Sequence, residues 1–186
     1  MLSKGFLTRG EAGMDDLYSR IVRERGSLEG LVARIPGFRG YMDMTARRQA
    51  DRLIREHVVA QLKTQLNRLS EIEKVLLDAG GLSFMSKTRS AKTKFQTFID
   101  RIATDAPGYS GFFDAVKIGQ DDLGVIYAFD QALLDYVDKF ALALDALRDA
   151  ALRGEGVEEG IRTLDALTVE ANDAYGLREN VLKGIE

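Results

Sequence analysis

The chain has 186 residues, of which 45% are hydrophobic and 30% charged, a balance typical of a globular protein and not of a disordered one. It contains no cysteine, which excludes disulfides, thiolate metal sites and cysteine nucleophiles. The formal net charge is −3, yet residues 34–101 carry seven more Lys and Arg than Asp and Glu, whereas residues 102–186 carry ten more Asp and Glu. This uneven distribution of charge predicts that oppositely charged helices pack side by side. The alternative is a bipolar molecule that self-associates or binds an anionic surface.

Residues 13–34 are predicted to form two short helices, because their apolar residues recur at steps of three and four. Gly26 is a stop signal for the first helix, and Ser27 is a suitable N-cap for the second at 28–34. Pro36 then excludes continuation, since the residue before a proline is pushed out of the helical region.

Two long amphipathic helices dominate the rest of the chain. The first is predicted over 45–79, where apolar residues recur in threes and fours, and a third helix follows at 84–104. The second long helix is predicted over 120–152, with an apolar spacing near 3.5 residues that is typical of a coiled-coil-like seam. A C-terminal pair of shorter helices is expected within 156–186, at 157–171 and 174–185.

Asp130 falls on the apolar seam of the second long helix. Two explanations stay open for a carboxylate there. Either it contacts a basic partner inside the bundle, or the helix is rotated so that Phe129 and Tyr136 face the core.

A short phrase occurs twice, as "IPGFRGYMD" at 35–43 and "APGYSGFFD" at 106–114, and it holds both prolines of the chain. At the same offset of 71 residues, apolar positions of the flanking helices also match. The match predicts that residues 35–152 are two related helix–loop–long-helix units produced by an internal duplication. The alternative is one loop type reused by chance.

The helix directions predict that both proline phrases lie at one end of the bundle. The first long helix runs up, the next helix down and the second long helix up, because short connections favour antiparallel neighbours. The phrases are expected to end one helix, anchor the turn with aromatic rings and start the next helix. A minority hypothesis places a partner-binding site at this end, on Phe38, Tyr41, Tyr109, Phe112, Arg47 and Arg48.

Residues for catalysis are scarce. His57 is the only histidine, so neither a histidine-rich metal centre nor a convincing catalytic triad is available. No phosphate-binding loop motif occurs. We therefore expect a non-enzyme without metal or cofactor.

A basic segment at 87–101 supplies the alternative function, reversible binding to an anionic membrane surface. The same segment is a weak candidate for nucleic-acid binding, which the acidic overall charge and the absence of a recognition motif disfavour. Its cations are Lys87, Arg89, Lys92, Lys94 and Arg101.

Together these patterns predict a single all-α domain over residues 1–186, an antiparallel bundle with two long helices. We expect a non-catalytic interaction or scaffold protein that binds a protein partner, or itself, through the aromatic bundle end or a charged helix face. The N-terminus has no signal-peptide pattern, so a cytoplasmic protein is expected, either free or peripheral to a membrane.

Overall fold

The structure, a computed structural model, describes residues 9–24, 26–43, 46–79, 81–104 and 118–184. These residues form an all-α bundle whose helices up to residue 153 agree closely with the predicted segments. A 3₁₀ turn, Leu82–Phe84, precedes the fourth helix. The helices are α1 Arg9–Arg23, α2 Leu28–Arg34, α3 Arg47–Asp78, α4 Met85–Thr104, α5 Gln120–Arg153 and α6 Val157–Gly184.

The four long helices form a bundle in which α3 packs between α4 and α5, and α6 packs between the same two helices. Helices α3 and α5 run parallel. Arg68 pairs with Asp145 in the later part of both helices, and two carboxylates nearer the start of the two helices contact the same arginine of α6. Helix α4 runs antiparallel to α3, since the Arg55 side chain contacts the Ile102 carbonyl oxygen near one end and Lys92 pairs with Glu73 near the other. The predicted up, down and up directions are therefore confirmed.

Helix α6 completes the bundle by running antiparallel to α5 and parallel to α4. The Tyr136 hydroxyl of α5 contacts Glu170 of α6 at 2.8 Å. The contacts between α4 and α6 occur at residue numbers that increase together in both helices. Three contacts set that parallel register: Lys87 with Glu158, Lys94 with Asp165, and Arg101 with Asn172.

The predicted apolar seams of the long helices form the core. At its centre Phe95 of α4 stacks on Phe140 of α5, with ring centroids 4.2 Å apart. Burial of side chains of this size supplies the main favourable free energy of folding. The fully buried core residues of α3 and α5 include Ile54, Val58, Leu62, Leu69, Ile126, Phe140, Leu144 and Leu147.

Helices α1 and α2 pack on the N-terminal half of α5. The predicted N-cap is confirmed, because the Ser27 hydroxyl oxygen accepts a hydrogen bond from the Gly30 amide at 3.0 Å. Arg34, in the last turn of α2, pairs with Asp135 and Asp138 of α5 at 2.7 and 2.8 Å. The first half of α5 is thus enclosed on several sides.

The C-terminal pair of helices predicted at 157–171 and 174–185 is instead one continuous helix, α6. Neither glycine nor proline interrupts residues 172–173. The side-chain amide of Asn172 donates to the Thr168 carbonyl oxygen at 2.8 Å, so this residue bonds within the helix and does not end it. Buried Ala171, Ala174 and Tyr175 carry the core stripe through the predicted break. The predicted internal duplication stays a prediction, since the second proline phrase lies outside the described residues.

Gly26 provides a sharp test of how α1 and α2 pack on α5. A β-carbon at Gly26 would lie 1.9 Å from the backbone carbonyl oxygen of Tyr127. We expect Gly26→Ala to lower the free energy of unfolding by about 3 kcal/mol, because backbone must move to relieve the overlap. Urea unfolding followed by circular dichroism measures the change.

Gly124→Ala is the matched control, because a β-carbon at this α5 position meets no atom within 4 Å. Alanine there should raise stability by up to about 1 kcal/mol through its higher helix propensity. Equal stability of the Gly26→Ala variant and the unmodified chain would contradict this packing.

Candidate functional site

The first proline phrase packs its aromatic rings into the bundle and not onto its surface. Phe38 is 3% exposed and Tyr41 is fully buried. The Tyr41 ring stacks on Tyr127 of α5, with centroids 5.7 Å apart. Gly40 has a φ of +84°, and a β-carbon there would lie 2.8 Å from Leu28 and from the Tyr127 hydroxyl. Glycine is therefore required for both the conformation and the close approach.

Tyr41 leads into a buried cluster of charged residues that joins three helices. Its hydroxyl donates to Asp130 of α5 at 2.9 Å. Arg178 of α6 lies between two carboxylates, donating to Asp130 and to Asp51 of α3 at 2.7 Å each. Arg55 donates to the other oxygen of Asp51 at 2.9 Å. Asp130 therefore contacts a basic partner, as one of the two explanations predicted, while Phe129 and Tyr136 are buried as well.

The surroundings of the two carboxylates move their pKa values in opposite directions. Burial raises the pKa of Asp130, and this effect exceeds the lowering by Arg178 and Tyr41. Burial also acts on Asp51, but the charge and hydrogen bonds of Arg178, together with Arg55, leave the pKa of Asp51 lowered. Asp51 thus contributes stability above its unfolded pKa that is lost as pH falls through the lowered pKa, whereas Asp130 contributes stability in acid that is lost as pH rises.

The cluster joins α3, α5 and α6 through paired charges. Two Arg and two Asp side chains neutralise each other, and each Asp is held by hydrogen bonds on both carboxylate oxygens. Within the described residues, no group of three or more His, Asp or Glu side chains is placed to hold a metal ion. His57 is half-buried at the α3 surface, where burial and the nearby Arg34 lower its pKa.

The remaining residues predicted at the aromatic end do not form one surface. Arg47 is buried and its Nε donates to the Tyr41 carbonyl oxygen at 2.9 Å, so it supports the loop from inside. Arg48, the next residue of α3, is exposed. Tyr109 and Phe112 lie outside the described residues.

An open cleft of about 420 Å³ lies between the first proline phrase and the first turns of α3. Phe38 and Leu53 contribute its apolar lining, and the exposed side chains of Arg39 and Asp43 lie on its rim. Because the rim holds one cation and one anion, the cleft favours neither an anionic nor a cationic ligand.

Four of the five cations in the basic segment form ion pairs within the bundle. Lys87, Lys94 and Arg101 of α4 pair with acidic residues of α6, and Lys92 pairs with Glu73 of α3. Arg89 is exposed and forms no ion pair with any described residue. The predicted side-by-side neutralisation of oppositely charged helices is therefore present between α4 and α6.

A second stripe on α5, opposite its core seam, faces outward. Its positions recur at alternating steps of four and three, which places them on one face of the helix. Leu142, at its centre, is 69% exposed. We call this stripe the outer seam, and it consists of Asp135, Lys139, Leu142, Ala146, Asp149 and Arg153.

The outer face of α5 is covered in its first half and open in its second. Gly26 and Gly30 lie against Tyr127 and Gln131, and Arg34 reaches as far as Asp138. Helix α2 ends there, so the outer seam from 139 to 153 is exposed. The steps of four and three are visible in the sequence, but the core seam has the same spacing, and the exposure that distinguishes the two seams is a property of the folded bundle.

Comparisons of the chain with protein-family models, with curated proteins and with solved structures find no match. None of the helices in the described part of the chain has an apolar stretch long enough to cross a bilayer.

The buried cluster predicts a large stability loss when its central cation is removed. Arg178→Met should lower the free energy of unfolding by about 4 kcal/mol, because it leaves Asp51 and Asp130 buried without their cation. Tyr41→Phe should cost about 2 kcal/mol, since it removes a hydrogen bond to a buried carboxylate. Urea unfolding at pH 7 measures both.

Arg162→Met serves as the control, because that arginine is also on α6 but its side chain is 70% exposed. Its ion pair with Glu159 is a surface pair, so little change is expected. If Arg178→Met and Arg162→Met unfold at the same urea concentration, the cluster does not lock the bundle.

Proposed function

We propose that this chain is a non-catalytic docking protein whose helical bundle presents the outer seam of α5 to a helix of a protein partner. The observation that carries the proposal is the change along one helix face. The first half of the outer face of α5 is covered by α2, whereas the second half is open and leaves Leu142 69% exposed.

The composition of the open half fits a protein interface. A central apolar side chain surrounded by charged residues resembles the usual arrangement of an apolar centre and a polar rim. Leu142 and Ala146 form the centre, while Lys139, Asp149 and Arg153 form the rim. The alternating steps of four and three are the spacing with which one helix packs along another.

The buried cluster supports this role by holding the presenting helix. Arg178 ties α5 to α3 and α6 through Asp130 and Asp51, and Arg34 fixes α2 on the same helix. A surface on a helix that is held at several points loses little conformational entropy when a partner binds. Because Phe38 and Tyr41 are buried, these two rings are not available to a partner at the aromatic end. This favours docking on the charged face of α5.

Membrane binding through residues 87–101 has weaker support. Lys87, Lys92, Lys94 and Arg101 already have carboxylate partners, so binding of lipid headgroups would need those ion pairs to open. The basic segment therefore presents Arg89 as its unpaired cation among the described residues.

Site-specific photo-crosslinking tests the docking surface. A photoreactive benzoylphenylalanine in place of Leu142 should form an adduct with a helix of a second polypeptide in cells that produce the chain. The same group in place of Leu82, which is 73% exposed on a different part of the bundle, is the matched control. Lys139→Asp should lower the adduct yield at position 142, because it changes a rim charge.

The proposal requires three results together: an adduct at 142, its reduction by Lys139→Asp, and mapping of the crosslinked peptide to a helix. An adduct of equal yield at position 82, or none at 142, would contradict docking on the outer seam.

Sedimentation with lipid vesicles tests the membrane alternative. Because the cations of α4 are paired, we expect the chain to stay in the supernatant with vesicles that contain phosphatidylserine, as it does with vesicles of phosphatidylcholine alone. Co-sedimentation with the anionic vesicles that is abolished by Lys87→Glu plus Arg89→Glu would favour membrane binding instead.

A further inference from the structure

We infer that the helix that docks on the outer seam is α5 of a second copy of this chain, in antiparallel orientation. This inference rests on the proposed function and names its partner. It follows from the order of charges along the seam and from the exposure of the residues that carry them.

The outer seam is complementary to its own reverse. From its N-terminal end it reads acidic, basic, apolar, apolar, acidic and basic, and the reversed order of a second copy places an opposite charge against each charge. Antiparallel pairing therefore sets Lys139 against Asp149 of the second copy, and Leu142 against Ala146. Each contact occurs twice, around a two-fold axis near residue 144.

The opposite orientation is unfavourable. Parallel pairing in register would place Lys139 against Lys139 and Asp149 against Asp149, and like charges across an interface oppose association. The order of charges thus selects the antiparallel arrangement, as charged flanking residues select helix orientation in coiled coils.

Two of the four charges in the outer seam are available, while the acids beside the seam are already engaged. Asp138 is held by Arg34, and Asp145 by Arg68, so these two acids at the edge of the seam are neutralised within the chain. Asp149 and Arg153 are exposed and form no ion pair with any residue that the structure describes.

The two other charges of the seam have partners within the chain. Lys139 has only a long contact to Glu170, at 4.0 Å, and lies over the Tyr136 ring. Asp135 already accepts from Arg34, so the outermost pair contributes less. The inner pairs, Lys139 with Asp149, therefore carry the charge complementarity.

The expected association is weak. The seam is one face of about five helical turns, which is small compared with a stable interface of ~1,600 Å². Sedimentation equilibrium of the purified chain should give a dimer with a dissociation constant on the order of 10 µM at low salt. Higher salt should weaken it, because the rim contacts are exposed charges.

A charge swap tests the pairing and its orientation. Lys139→Asp alone and Asp149→Lys alone should each weaken the dimer by about tenfold, since each creates two like-charge contacts. The double variant Lys139→Asp with Asp149→Lys should return to the affinity of the unmodified chain. Thermal unfolding of each variant controls for loss of fold, and Arg162→Asp on α6 controls for a general effect of charge.

Disulfide capture tests the register, because the chain has no cysteine of its own. A mixture of Leu142→Cys and Ala146→Cys chains should form a mixed disulfide between positions 142 and 146. Preferential disulfides between identical positions would indicate parallel pairing and overturn the inference.

The outcomes separate this inference from the proposed function. A chain that is monomeric at about 100 µM, while position 142 crosslinks a different protein in cells, overturns the second copy as partner and leaves docking on the outer seam supported. Failure of the double variant to recover the dimer also overturns the charge pairing. Absence of any adduct at position 142 contradicts both.

Discussion

The fold depends on one buried arginine. Arg178 of α6 contacts Asp51 of α3 and Asp130 of α5 at 2.7 Å each, so a single side chain joins three of the four long helices. Burial of these charges is costly unless they are paired, and Arg55 and Tyr41 supply the remaining contacts of the carboxylates. Nη1 of Arg178 is the one buried side-chain nitrogen among the described residues that has no hydrogen-bond partner. This requirement specifies the rotation of each helix and the position of the first proline phrase, which a purely apolar core would leave less constrained. The same cluster makes Tyr41 a core residue and removes its ring from the surface.

The uneven distribution of charge along the chain places ion pairs between helices of the bundle. The basic residues of α4 pair with acidic residues along α6, from Lys87 with Glu158 to Arg101 with Glu179. Parallel packing of helices distant in sequence brings these charges together, so a segment that reads as a cationic surface is largely neutral in the bundle. Exposed ion pairs contribute little stability individually. Their consequence here is that the surface available to an anionic partner is smaller than the sequence indicates.

Helix α5 carries two seams with the same spacing and different surroundings. The core seam is apolar, with Asp130 as the one charged member, and it packs against the other long helices. The outer seam alternates charges around Leu142 and is open beyond Asp138, where α2 ends. Two helix-packing stripes on one helix are expected when a helix serves both its own bundle and a further helix, because each stripe can bury only what lies on its side. The proposed association uses the stripe that the chain leaves open.

The sequence by itself determined the all-α class and the helices up to α5, because apolar residues at steps of three and four and the Gly and Pro signals depend only on local chemistry. The up, down and up directions followed from the short connections between those helices. It also identified Ser27 as a cap and Asp130 as a charge inside a seam. Only the tertiary structure decided that Arg178 is the partner of Asp130 and that the cations of α4 are paired, since residues far apart in sequence meet through helix packing. It also joined the two predicted C-terminal helices into α6, where core contacts of Ala171 and Tyr175 outweigh the weak break signal at 172–173. Exposure of Leu142 was likewise decided by where α2 stops, which local patterns do not encode.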